Sequence, residues 1–257
     1  MADFHGKFVW YELLTSDPAA SEAFYRAVIG WDVEKMGPDE APYRILKAGD
    51  TGVAGISPNP PAGGGAVWMG YIATDDVDRD TERAKAAGAT LHYGPDDIPG
   101  IGRFSMIGDP QGAIVYLFDP IPPADRPEPE APAPGTPGHF GWRELVSTDG
   151  AAGYDFYSKL VGWRKGEALD MGPAGVYQLY QARDGEELGG IMTGPPDSPA
   201  PFWNYYIQVD SIDAAIKRFT PLGATVTMGP APVPGDRWIV QGIDPQGGAF
   251  SLVSNKP

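Results

Sequence analysis

The sequence predicts an α+β protein made of two tandem copies of one module. Three observations carry this. The stretch W-Y-E-L-L-T-S-D-P-A-A-S-E-A-F-Y-R-A-V-I-G-W from Trp10 to Trp31 returns as W-R-E-L-V-S-T-D-G-A-A-G-Y-D-F-Y-S-K-L-V-G-W from Trp142 to Trp163, 132 residues later. The repeat then continues at an offset of 135: Trp68 is answered by Trp203, Gly88-Ala-Thr by Gly223-Ala-Thr, and Asp109-Pro-Gln-Gly by Asp244-Pro-Gln-Gly. A repeat of this length means two copies of one structural unit, with a net three-residue insertion between Trp163 and Trp203. Within each copy, strand-like and helix-like stretches follow in the order β-α-β-β-β, twice.

Taken in order, Phe8 to Thr15 reads as a strand. Asp17-Pro18 supplies an N-cap acceptor and a proline at the first helical position. Phe24 and Val28 are four apart on one helical face, and Gly30 fits a left-handed stop before Trp31. Strands follow near Tyr43–Ala48 and Val53–Ser57. Pro58 to Gly65 reads as a loop, and its Gly63-Gly64-Gly65 lacks the Gly-Lys-Ser/Thr of a phosphate loop. Val67 to Ala73 is a strand. Asp75-Asp76 caps a helix ending at Gly88, and Thr90-Leu91-His92 is short and extended. A loop spans 96–102, and Arg103–Ile107 with Ala113–Phe118 form a hairpin around Asp109-Pro-Gln-Gly. Residues 120–138 hold eight prolines and read as a stiff linker. The first module is then 1–119 and the second 139–257.

The composition narrows the function. The 257 residues are 42% apolar, enough for a sizeable core, and no run of about 18 apolar residues predicts a membrane span. No apolar signal region is visible near the N-terminus, so a cytoplasmic location is expected. Cysteine is absent, which excludes disulfides, thiolate chemistry and Cys-ligated zinc. A formal charge of −15, with no Lys/Arg block, argues against nucleic acid and anionic membranes as partners. The expected partner is a small molecule, and the expected state a monomer or homodimer.

Paired β-α-β-β-β modules resemble the vicinal oxygen chelate superfamily, the group of glyoxalase I, extradiol dioxygenases and the bleomycin and fosfomycin resistance proteins. The motifs are L-x-x-x-D-x-x-x-x-x-x-F-Y-x-x-x-x-G-W (Leu13 to Trp31), D-D-V-D (Asp75 to Asp78) and D-P-Q-G before the last strand, each set present twice apart from variation in the second. The chain is most similar to tandem "glyoxalase/bleomycin resistance protein/dioxygenase" proteins of actinobacterial type, including the mycobacterial antigen-like members. The resemblance implies cupped mixed sheets. It also implies metal ligands seven residues before each helix-capping Asp and seven after the Asp of D-P-x-G. Those positions hold Trp10, Trp68 and Tyr116 in one copy and Trp142, Trp203 and Ser251 in the other. None is a usual ligand of a catalytic divalent ion. The chain has only His5, His92 and His139, so no metal and no other cofactor is expected.

Alternation places Trp10, Glu12 and Leu14 on one strand face, as it does Trp203, Tyr205 and Ile207. Two readings stay open for the tryptophans: they fill the core, or they wall a pocket for a flat or apolar ligand. Glu12 and Glu144 likewise have two readings. A carboxylate desolvated among tryptophans suits a general acid or base, and one paired with a nearby donor is structural. Arg103 and Trp238 occupy equivalent places and break the symmetry. The expected function is metal-independent binding of an aromatic or apolar small molecule. Glu12 or Glu144 would be the base if the protein is a lyase- or isomerase-type enzyme. Trp10, Trp68, Arg103, Tyr116, Trp142, Trp203, Tyr205, Trp238 and Ser251 are the candidate ligand contacts. The alternatives are an antibiotic-sequestering binder without catalysis and a metal-dependent glyoxalase or dioxygenase.

Overall fold

The computed structural model describes residues 4–59, 65–121, 132–196, 198 and 200–257. Much of the proline-rich segment (122–131) and Gly63-Gly64 lie outside the described residues. The first repeat runs β1 (Phe8–Thr15), α1 (Pro18–Ile29), β2 (Asp32–Met36), β3 (Tyr43–Ala48), β4 (Thr51–Ser57), β5 (Ala66–Ala73), α2 (Val77–Ala86), β6 (Thr90–Ile98), β7 (Gly102–Gly108) and β8 (Ile114–Pro120). The second runs β9 (Phe140–Ser147), α3 (Gly150–Val161), β10 (Arg164–Asp170), β11 (Val176–Gln181), β12 (Glu187–Thr193), β13 (Phe202–Gln208), α4 (Ile212–Phe219), β14 (Thr225–Val233), β15 (Arg237–Ile243) and β16 (Ala249–Ser254). Each repeat forms one eight-stranded mixed sheet, in keeping with the α+β class.

Local chemistry sets the element ends. Asp17 and Asp149 accept from the backbone N–H of Ala20 and Ala152, each at 3.0 Å, and so cap α1 and α3. Gly30 and Gly162 end these helices with φ of 88° and 78°, a conformation glycine takes without a Cβ penalty. The second helix of each repeat is capped by the second residue of Asp75-Asp76 and of Asp210-Ser211. Asp76, not Asp75, caps α2 by accepting from Arg79 N, and Ser211 caps α4 by accepting from Ala214 N. Residues 96–98 are also strand rather than loop. The β6–β7 ladder shifts register across Gly94-Pro95, where proline offers no N–H, and resumes at Asp96 opposite Phe104.

The chain divides into two compact units, and each draws on both repeats. Unit 1 comprises Met1–Val9, Met69–Pro127 and Trp142–Asn204. It holds the strand runs β8-β7-β6 and β10-β11-β12-β9 with α2 and α3. Its aromatic core gathers Phe8, Tyr157, Trp163, Tyr180 and Trp203, with Trp163 stacked on Tyr180 at 4.1 Å. Arg83 of α2 donates to the carbonyls of Lys159 and Leu160 at the C-terminal end of α3, where orphan acceptors collect. Unit 2 comprises Trp10–Trp68, Glu128–Gly141 and Tyr205–Pro257. It holds β2-β3-β4-β1 and β16-β15-β14 with α1 and α4. Its core gathers Tyr25, Trp31, Trp68, Phe140 and Phe250. Arg218 of α4 repeats the helix-end contact, donating to Val28 O at 2.8 Å. The Gly-Trp tryptophans also reach the other repeat within each unit: Trp163 Nε1 donates to Gly6 O at 2.6 Å, and Trp31 Nε1 to Gly138 O at 2.8 Å.

Candidate functional site

The sharpest polar constellation lies in unit 1. In the parallel pairing of β9 with β12, Glu144 stands opposite Gly190. A β-carbon at Gly190 would lie 2.0 Å from Tyr177 Cε1, so the glycine makes the space in which the Tyr177 ring rests. The Tyr177 hydroxyl accepts from Trp142 Nε1 at 2.8 Å and donates to Glu144 Oε2 at 2.9 Å. Asn204 Nδ2 donates to Glu144 Oε1 at 3.4 Å. Trp142, Glu144, Tyr177 and Asn204 are all half-buried.

Unit 2 repeats the Trp–Tyr bond and the glycine beside it. Glu12 stands opposite Gly55 in the β1–β4 pairing. A β-carbon at Gly55 would lie 1.8 Å from Tyr43 Oη, and that hydroxyl accepts from Trp10 Nε1 at 3.1 Å. Alternation along β1 and β9 thus brings each Trp to its Tyr, as the shared face of Trp and Glu predicts. The sequence reading did not single out Tyr43 and Tyr177. Their signal was a tyrosine near the start of the third strand of each copy, first in β3 and second in β11, with a repeated glycine, Gly55 and Gly190, in the next strand.

Trp68 and Trp203 lie elsewhere. Both are buried and turn towards helices. Trp68 Nε1 donates to Tyr25 Oη of α1 at 2.9 Å, and that hydroxyl donates to Asp244 Oδ2 at 2.9 Å. Trp203 Nε1 donates to Tyr157 Oη of α3 at 3.1 Å, and that hydroxyl donates to Asp109 Oδ2 at 3.3 Å. The other oxygen of each Asp accepts backbone N–H groups of its own D-P-Q-G turn. Burial pushes Asp109 and Asp244 above the usual carboxylate range against the pull of these donors. Burial and the Asp244 carboxylate push the Tyr25 hydroxyl well above its ordinary value. The helix-directed face of Trp68 and Trp203 follows from the later caps. Seven residues before Asp76 and Ser211 stand Met69 and Asn204, on the opposite strand face from Trp68 and Trp203.

The remaining candidates are dispersed. Tyr116 is buried and stacks on Tyr71 at 4.3 Å. Ser251 is buried opposite Tyr206, whose hydroxyl accepts from Gln241 at 2.8 Å. Tyr205 is buried edge-on to Tyr11 at 5.4 Å. Trp238 is half-buried on β15. Arg103 donates to Asp78 and Asp97 beside a groove of about 340 Å³ that it lines with Asp119 and Ile121. These hydrogen bonds hold its guanidinium above its ordinary value.

Two eight-stranded mixed sheets from a doubled β-α-β-β-β repeat define the class. The sequence profile of the Glyoxalase/Bleomycin resistance protein/Dioxygenase superfamily matches residues 7–117 and 136–251, and the chain belongs to that family. Anthracycline biosynthesis protein DnrV of Streptomyces peucetius is 30% identical over 264 residues, covering 96% of this chain and 93% of its own. CFP32 of Mycobacterium tuberculosis is 42% identical over 118 residues, 46% of this chain and 45% of its own. The Mn(II)-bound glyoxalase from Novosphingobium aromaticivorans shares the fold, with a TM-score of 0.62 and 19% identity over 98% of this chain and 82% of that one.

A metal ion of the kind that glyoxalase binds does not fit the residues at the implied positions. The indoles of Trp10 and Trp142 present N–H donors, and Trp68 and Trp203 spend theirs on helix tyrosines. Among the described residues, no group of three or more His, Cys, Asp or Glu is arranged to hold a metal. Among them, too, no helix is long and apolar enough to cross a membrane.

Proposed function

We propose that this chain binds a polycyclic or otherwise aromatic small molecule, without a metal, at its Trp–Tyr–Glu constellations. One observation carries the reading: the Tyr177 hydroxyl joins Trp142 to Glu144, so a flat indole, a phenol and a carboxylate share one hydrogen-bonded group. Small-molecule sites combine apolar aromatic walls with a few placed polar groups in this way. The likeness to a protein named for anthracycline biosynthesis, over nearly the whole of both chains, supports an aromatic ligand. A second reading, proton transfer of lyase or isomerase type on that ligand, is favoured by the burial of Glu12 and the half-burial of Glu144, which suit a carboxylate to general acid or base work.

Titrating tryptophan fluorescence with an anthracycline aglycone tests the first reading. Saturable quenching is expected, and Trp142→Phe, which removes the indole donor, should weaken it about tenfold, the worth of roughly 1.4 kcal/mol. No quenching by polycyclic aromatics would remove the reading. Chromatography of the incubated ligand tests the second. Glu144→Gln should abolish any turnover while affinity changes little, because the amide keeps the shape and loses the proton acceptor.

A further inference from the structure

The groove beside the β6–β7 hairpin shares no residue with the Trp–Tyr–Glu sets. It holds about 340 Å³, within the size range of small-molecule sites, and lies wholly in unit 1. Ile98 and Pro99 wall it from the hairpin, and Ile121 walls it from the end of β8. The Ile121 N–H donates to Ile101 O at 2.8 Å, which ties that strand end to the hairpin. Ile121 is nonetheless 57% exposed, so the groove offers apolar surface to solvent. Its charges are unevenly matched. In the β7–β8 ladder Arg103 stands opposite Asp119, where residues of opposite charge ordinarily pair. Arg103 instead donates to Asp78 through Nε at 2.7 Å and Nη2 at 2.9 Å, and to Asp97 through Nη1 at 2.8 Å. Two carboxylates thus occupy its guanidinium. The half-buried Asp119 carboxylate has no hydrogen bond or ion pair among the described residues. Burial, and then the carboxylates of Asp75 and Asp76, push it above its usual range. The cations near those two are engaged as well: His5 meets Asp75 at 2.9 Å, and Arg79 donates twice to Asp80.

We propose that this groove is a binding site for a protonated amine carried on a compact apolar ring, with the ammonium on Asp119 and the ring against Ile98, Pro99 and Ile121. An ammonium supplies the opposite charge and the N–H donors that a carboxylate accepts most strongly. The isoleucines and the proline reward an apolar body with the area they remove from water. A neutral ligand of the same shape gains only the second term. A carboxylate ligand is repelled by Asp97 and Asp119. The net charge of −15 favours the approach of a cation over that of an anion. The site stands independently of any aromatic ligand at the Trp–Tyr–Glu sets.

The test titrates the full chain with benzylamine, benzyl alcohol and phenylacetate and follows backbone-amide NMR shifts. Benzylamine should move the amides of Ile98, Gly100, Gly102 and Ile121 saturably. Benzyl alcohol should move the same amides with about fivefold weaker affinity, the upper end for an ion pair still open to water. Phenylacetate should leave them in place. Asp119→Asn keeps the shape and removes the charge, and should bring the amine down to the affinity of the alcohol. Asp119→Ser carries the same expectation if the amide disturbs the strand end. Ile121→Ser should weaken amine and alcohol alike, since it removes apolar wall and no charge. Equal affinity of the wild-type chain for amine and alcohol overturns the proposal. So does an amine affinity unchanged in folded Asp119→Asn or Asp119→Ser, and so do amine-induced shifts that avoid the groove.

Discussion

Replacing Gly190 by alanine asks whether glycine is required there because of Tyr177. The new β-carbon would lie 2.0 Å from Tyr177 Cε1, 2.2 Å from Cζ and 2.6 Å from Oη. Carbon contacts settle at about 3.5–4.0 Å, so the ring must leave its place. Two hydrogen bonds go with it, one from Trp142 and one to Glu144. A neutral bond is worth about 1 kcal/mol and one to a charged group about 1.5–3, which sums to roughly 2.5–4 kcal/mol. Urea denaturation should show a midpoint lowered by about 1 M, taking a slope near 3 kcal/mol/M. Tyr177→Ala vacates the space. In that background Gly190→Ala should be neutral, or stabilising by about 0.5–1 kcal/mol, because alanine loses less backbone entropy than glycine in a strand. A cost of the same size in both backgrounds would refute the reasoning, since the clash would then not be with Tyr177.

Other outcomes are expected. Tyr25→Phe and Tyr157→Phe each remove one hydrogen bond from a buried indole N–H and one from a buried Asp, and should cost about 1–3 kcal/mol by calorimetry. At Asp80, burial raises the carboxyl, but Arg79, Thr74 and Arg83 together hold it below its ordinary value. Its contribution should be full above the unfolded pKa and lost as pH falls through the folded one, and Asp80→Asn should flatten the acid limb of a stability–pH curve. Asp244, raised by burial, has the opposite sign: its favourable contribution is present below the ordinary carboxylate value and lost as pH rises through the folded pKa, so Asp244→Asn should reduce the fall in stability above that value. Millimolar Mn(II) should leave the melting temperature unchanged, whereas a bound ion at 100 times its Kd would add about 2.7 kcal/mol.

The repeat, the element order and the helix-cap chemistry were legible in the sequence because they are local. Asp17 and Asp149 cap through bonds that span three residues, and Gly30 and Gly162 stop helices through their own φ. The pairing of Trp142 with Glu144 was legible too, since strand alternation is a period of two. The site was less so. Asp75 and Asp76 are both competent caps, and a single residue decides which face of β5 carries Trp68 or Met69. Asp210 precedes Ser211 in the same way before β13's Trp203 and Asn204 find their faces.

By itself, then, the sequence determined two copies of a β-α-β-β-β pair and placed a tryptophan and a glutamate together on the first strand of each. Only the tertiary structure decided which residues complete them. Tyr177 reaches Glu144 from 33 positions away because β12 lies between β9 and β11 and Gly190 leaves room for the ring. Tyr25 meets Asp244, and Tyr157 meets Asp109, because each unit is assembled from halves of both repeats. These contacts depend on strand order, register and the volume beside a glycine, and no periodicity in a single chain encodes the distance between segments so far apart.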